Sequence, residues 1–268
     1  MIGEKRTLPC KINPIMAKII DNHIHIGRFD SVYYAAETVF TVLQKAGVSE
    51  CLYSSTTSGS TVNSEQSAVR VYRKIRAEIN DAQNIADRIG IRARPLYWVV
   101  PVIHGFMPEL TLEQVMTEAP YTGFKLHPRA NFWDLSDTFI YTLVESVFVY
   151  ADTYSMPVLI HTGYDQDRAD FFEPFFPLCK KGKIILAHCR PLDIVLRLLT
   201  AYDNIFCDTA FTDPVSLAQI RAAGFGSKML FGSDFPITDY FNNKRMNTGL
   251  QSTEKDLYAE YLKNIDED

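Results

Sequence analysis

Eight short apolar runs punctuate this chain, and a helical pattern or a connection follows each of them. They are Lys18–His25, Glu50–Ser55, Ala93–Val102, Gly123–His127, Pro157–His161, Lys183–His188, Asn204–Asp208 and Lys228–Ser233. They are near-continuous in Ile, Val, Leu and Phe, as expected of parallel strands covered on both faces. Between them, Ile75, Ile79, Ala82, Ile85, Ala86 and Ile89 line one helical face, which Gly90 can stop. Ile140, Leu143, Val144, Val147 and Ala151 repeat that pattern. Thr111-Leu112-Glu113-Gln114 reads as a capping box, and Asp213-Pro214 opens a helix that Gly224 closes. Strands alternating with helices imply right-handed βαβ units around a parallel sheet. Eight such units in 268 residues predict one domain, 1–268, of the α/β class: a (β/α)8 TIM barrel. The rival doubly wound sheet would need a glycine-rich phosphate loop after an early strand, and none occurs.

Composition narrows the partners. Lys plus Arg is 27 against 32 for Asp plus Glu, a formal charge of −5, which argues against nucleic acid. No window reaches the ~18 apolar residues of a membrane span, and the first ten residues lack the apolar stretch of a leader. The expectation is a cytoplasmic protein with no membrane partner. The cysteines (Cys10, Cys51, Cys179, Cys189 and Cys207) are odd in number and form no CxxC, so free thiols are expected rather than a disulfide framework or zinc ribbon.

All six histidines (His23, His25, His104, His127, His161 and His188) fall at or just beyond the C-terminal end of a predicted strand, and none is expected in a helix. Barrel enzymes build their active sites at that rim. In Asp21-Asn22-His23-Ile24-His25, alternate strand residues face the same side, so Asp21, His23 and His25 point into the barrel. Two imidazoles spaced this way can grip one metal ion. Further polar strand ends are Leu159-Ile160-His161-Thr162-Gly163, Leu186-Ala187-His188-Cys189 and Phe231-Gly232-Ser233-Asp234-Phe235-Pro236.

With DNHIHIG, GFKLHP, LIHTG, LAHC and FGSDFP in this order, the chain resembles the amidohydrolase superfamily from Asp21 to Pro236. The resemblance is greatest to the amidohydrolase-related branch of small metal-dependent barrels. It implies that His23, His25, His161 and Asp234 hold one catalytic divalent metal at the C-terminal rim, with zinc the first choice for such a donor set. It implies that Asp234 also takes a proton from the attacking water. His188 resembles a residue that either binds a second metal or orients water and substrate. Phe124 and Leu126 would face the helices, which turns Lys125 and His127 into the barrel. A second metal bridged by a carboxylated Lys125 is the less favoured arrangement, and Lys125 is expected to contact substrate. The activity implied is metal-dependent hydrolysis of a C–N or C–O bond, of amide or lactone type, in a small anionic molecule. The alternative is a non-hydrolytic decarboxylase or hydratase of a carboxylated small molecule.

Arg190, two residues after His188, is a candidate clamp for a substrate carboxylate or phosphate, or else pairs with Asp193 or solvent. Arg28, Arg129, His104 and Tyr164 share the strand-end loops. Asp21 is either an acceptor that orients a metal ligand or a hydrogen-bonded barrel aspartate. Ser54 to Ser67, rich in Ser and Thr, reads as a loop beside the pocket, either a solvated connection or a mobile lid. The aromatic run Phe171 to Phe176 reads as core, or as a contact in a homo-oligomer.

Overall fold

The computed structural model describes residues 19–237, so Cys10, Lys18 and the C-terminal segment lie outside the described residues. The strands are β1 (Ile19–Phe29), β2 (Val32–Tyr34), β3 (Val48–Ser55), β4 (Arg92–Trp98), β5 (Gly123–Leu126), β6 (Val158–Ile160), β7 (Ile184–Leu186), β8 (Ile205–Asp208) and β9 (Met229–Leu230). The sheet runs β2-β1-β3-β4-β5-β6-β7-β8-β9, and every pair is parallel except the β1–β2 hairpin. The chain after β9 returns to β1: Asn22 N donates to Phe231 O, Asp234 N to His23 O and His25 N to Phe235 O, at 2.9, 2.8 and 2.8 Å. Eight parallel strands therefore close on themselves, and the expected TIM-barrel fold is present.

The helices are α1 (Ala36–Lys45), α2 (Glu65–Ile89), α3 (Pro101–Phe106), α4 (Leu112–Glu118), α5 (Thr138–Tyr154), α6 (Leu192–Ala201) and α7 (Pro214–Ala222). The expected caps are in place. Gly90 adopts a left-handed φ of 83° at the end of α2, Thr111 and Gln114 form a capping box, and Asp213 accepts from Val215 N and Ser216 N.

Three expectations are corrected, for the Ala93–Val102 strand, His104 and Ser54 to Ser67. The strand expected over Ala93–Val102 ends at Trp98, because Pro101 takes the first position of α3. His104 consequently sits in a helix. Its ring spans Tyr97 OH and Leu110 O at 2.8 and 3.0 Å, so it is a satisfied core histidine. The segment after β6 is a 3-10 run, Ala169–Leu178, because Pro174 and Pro177 remove the donors an α-helix would need. Its Phe172, Phe175 and Phe176 are buried, which makes the aromatic run mostly core, with Phe171 left exposed. Finally, Ser54 to Ser67 is neither a lid nor a solvated connection throughout. It comprises the end of β3, a 3-10 turn over Thr56–Gly59 and the capped start of α2, and Ser54 to Ser58 are buried. The buried Glu78 carboxylate accepts from Ser55 Oγ at 2.6 Å and Thr57 Oγ1 at 3.0 Å, which pins that turn to α2.

Inside the barrel, Leu52, Leu96, Leu159, Ile185 and Ala187 form a separate apolar layer, with Phe206 and Leu230 against it. Two residues further along the same strands come Ser54, Trp98, His161 and Asp208. The period of two turns the upper residues to the same interior, so an apolar plug supports a polar layer at the rim.

Candidate metal centre

His23 and His25 rise from β1 into that polar layer, almost fully buried. Their Nε2 atoms are 3.2 Å apart. The return of the chain onto β1 places Asp234 beside them, with Oδ1 2.9 Å from His25 Nε2 and 3.5 Å from His23 Nε2. Nitrogens that share a tetrahedral zinc at ~2.05 Å are about 3.3 Å apart, so this triangle has the edge lengths of a metal's donor set. Gly232 makes the approach possible, since a Cβ there would lie 3.0 Å from Asp208 Cβ and 3.1 Å from His23 Cβ.

Hydrogen bonding fixes which ring nitrogens are bare. His23 Nδ1 faces Asp208 Oδ2 at 2.7 Å, and an ionised carboxylate only accepts, so the proton is on Nδ1 and Nε2 offers a lone pair. His188 Nδ1 faces Ala210 O at 3.2 Å, which leaves its Nε2 bare. That atom lies 3.1 Å from His161 Nδ1, and His161 Nε2 faces Asp167 Oδ2 at 3.2 Å. A proton on His161 Nε2, toward Asp167, would leave His161 Nδ1 bare. These lone pairs converge on one point, where Lys125 Nζ, 2.9 Å from His23 Nε2, supplies a single positive charge. Asp234 Oδ1 adds a buried carboxylate oxygen with no aligned donor. The donor set therefore fits a divalent metal.

Among the described residues, two groups have donor atoms close enough for one ion: His23 with His25 and Asp234, and His23 with His188 and Asp208. His161 belongs to neither. It touches the second through His188, and its ring stacks on His127 with centroids 3.8 Å apart. His127 stacks in turn on Trp98 at 5.0 Å. Lys125 is completely buried, which excludes a solvated strand-end charge, and its Nζ lies 2.9 Å from His23 Nε2. Burial brings its pKa down to about 8, with Asp234 and Asp208 opposing. Arg190 is half-buried and donates from Nε to Thr162 O at 3.1 Å. Asp21 contacts no imidazole. Its Oδ1 accepts from His23 N and Ser233 N, both at 3.1 Å, and so ties β1 to the segment that carries Asp234.

Sequence reasoning missed Asp208, Asp167 and Ser54. Asp208 accepts from His23 Nδ1, His188 N and Ala210 N. It ends a recognised strand in phase with inward Phe206, a signal that could have found it. Ser54 Oγ lies 3.1 Å from His25 Nδ1.

The profile of the amidohydrolase family matches residues 20–261. The chain belongs to the amidohydrolase family. This family is metal-dependent, in keeping with the donor set. Solved structures share the fold at low identity. One is 5-carboxyvanillate decarboxylase from Sphingomonas paucimobilis, with 14% identity over 92% of this chain and 98% of that one and a TM-score of 0.52. An amidohydrolase II gives 13%, 92%, 99% and 0.57. 2,6-Dihydroxybenzoate decarboxylase complexed with 2,6-dihydroxybenzoate gives 11%, 92%, 100% and 0.56. No curated protein matches the chain in sequence.

The electrostatics of this amidohydrolase centre carry a pH signature. Burial, reinforced by neighbouring cationic groups, holds His23, His127 and His188 well below the usual imidazole range. Burial brings His161 to about 4 against the pull of Asp167, and it lowers His104 as well. A folded pKa below the unfolded one contributes stability that is present above pH ~6.5 and lost as pH falls through the folded value. Asp21 and Asp208 run the other way: burial raises them to about 7 and about 6, so their contribution is lost as pH rises through those values. Five imidazoles outnumber two carboxylates. Calorimetry of the chelated protein should therefore show Tm falling between about pH 7 and about pH 5. A Tm that climbs on acidification would mean that the two carboxylates dominate.

Proposed function

We propose that this chain is a metal-dependent hydrolase that cleaves a C–N or C–O bond, of amide or lactone type, in a small anionic molecule. The observation that carries this reading is Asp234: a buried carboxylate oxygen with no aligned donor, within 2.9 and 3.5 Å of two imidazole nitrogens. His23, His25, His161 and Asp234 would hold one divalent ion, zinc being the first choice for imidazoles with a carboxylate. Such an ion supplies Lewis acidity toward a carbonyl oxygen and toward water. Asp234 accepts the proton that water loses. Attraction from His23, His25 and Lys125 outweighs its burial and keeps it below the usual carboxylate range, so it is ionised at neutral pH. His188, held by Asp208 and Ala210, orients the substrate. His161, His127 and Arg190 are only half-buried, so substrate enters on their side, where Arg190 meets its anionic group and His127 and Lys125 flank it. Four described cysteines are buried free thiols, which suits the cytoplasm. Among the described residues no helix is long and apolar enough to cross a membrane.

Decarboxylation of a carboxylated small molecule is the second reading, favoured by two of the structural neighbours, which are decarboxylases. Metal analysis of protein purified without chelator, followed by a screen of amides, lactones and carboxylated aromatics, tests both. The hydrolase reading expects about one equivalent of divalent metal and consumption of water. Release of CO2 with no water consumed moves the assignment to the decarboxylase, and failure of the histidine cluster to bind metal defeats both.

A further inference from the structure

Asp167 lies six residues beyond His161, in a tight return of the chain: Gly163 N donates to Asp167 O at 2.8 Å. Its side chain is buried, and among the described residues Oδ2 has no aligned donor, with His161 Nε2 3.2 Å away. Gly163 makes room for it, since a Cβ there would stand 2.5 Å from Asp167 Oδ1. On the ring's face, His127 stacks at 3.8 Å and 12°. The imidazole of His161 is therefore fixed twice, in its plane by His127 and about its axis by Asp167.

We propose that Asp167 is a positioning residue that presents His161 to the metal. It would accept a hydrogen bond from Nε2–H, 3.2 Å away, and so leave Nδ1 bare, facing His188 Nε2 at 3.1 Å. The inference rests on the reading of His161 as a metal ligand. A ring nitrogen can bind a cation only when unprotonated, and a carboxylate behind the opposite nitrogen both selects that tautomer and raises the ring's basicity. Asp208 stands behind His23 in the same relation, at 2.7 Å from Nδ1. The two carboxylates thus back imidazoles on opposite sides of the cluster through different ring atoms, Nδ1 in one and Nε2 in the other, so that the bare nitrogens converge.

The test measures zinc affinity of the full chain by chelator competition in wild type, Asp167→Asn, Gly163→Ala and His161→Asn. NMR of the zinc-loaded wild type follows the His161 ring proton. Asp167→Asn preserves the shape, and Gly163→Ala keeps the carboxylate but pushes it off the ring. Both are expected to bind zinc about 10–100-fold more weakly. Wild type should show a slowly exchanging proton on His161 Nε2, and Asp167→Asn should lose its protection. An Asp167→Asn protein with wild-type affinity, alongside a His161→Asn protein that has lost zinc, overturns the role of Asp167 and spares the ligand reading. Undiminished affinity in His161→Asn removes the ligand reading, and this inference with it.

Discussion

Replacing Asp234 with Asn is expected to lower turnover by about 10²–10⁴-fold while part of the metal stays bound. Asparagine keeps the volume and one oxygen close to His25 and His23, where Asp234 Oδ1 now lies at 2.9 and 3.5 Å. It cannot take a proton. Three imidazoles remain to hold the ion, so metal affinity should drop without vanishing. The backbone change is small, because Asp234 N donates to His23 O whatever the side chain. Asp234 does adopt a φ of 57°, a conformation that asparagine tolerates about as well as aspartate. The measurement is steady-state turnover on whichever substrate the screen identifies, paired with metal content of the same preparation. A variant that retains both metal and near-normal turnover would take the proton-accepting role away from Asp234. Loss of metal in full would make Asp234 chiefly a ligand.

What could be read from the sequence follows the range of the physics involved. The barrel was legible because buried parallel strands are apolar almost throughout and amphipathic helices repeat near 3.6 residues, both of which are local signals. The pairing of His23 with His25 was legible from the strand period alone. His104 misled because a strand end and a helix start look alike in an apolar run. Only Pro101, at the first turn of α3, marked the change. The segment Ser54 to Ser67 misled for a different reason. Ser and Thr suggest a solvated loop, yet here Ser55 and Thr57 are buried against Glu78, more than twenty residues away in sequence. Asp208 acts on His23 through a contact that the closed barrel creates, and Asp167 acts on His161 through a tight return of the chain. Asp208 reaches across 185 residues to His23. The strand period could place Asp208 inside the barrel but not against His23, whereas the resemblance to a family carries only the residues its motifs contain.

Asp208 is also where the second large effect is expected, because its two oxygens do separate work. Oδ1 accepts from His188 N at 2.9 Å and Ala210 N at 3.1 Å, and Oδ2 accepts from His23 Nδ1 at 2.7 Å. In Asp208→Asn the amide oxygen can keep the two backbone donors, since leaving both unpaired and buried would cost about 1–3 kcal/mol each. The amide nitrogen then faces His23 Nδ1 as a donor. His23 must give up its Nδ1 proton to accept that bond, and the proton moves to Nε2, the atom that faces His25, Asp234 and Lys125. The same inversion, an amide replacing the carboxylate behind a histidine, is known to leave geometry intact while imposing the wrong tautomer. Zinc affinity should therefore fall by about 10–100-fold or more. Stability of the chelated protein should hold or rise above pH 7, because burial raises the Asp208 pKa to about 6 and the substitution removes a charge held there at a cost. Chelator competition and calorimetry on the same samples separate the two effects. A protein that loses stability and zinc together would point to a damaged fold, while wild-type zinc affinity would show that the carboxylate does not set the His23 tautomer.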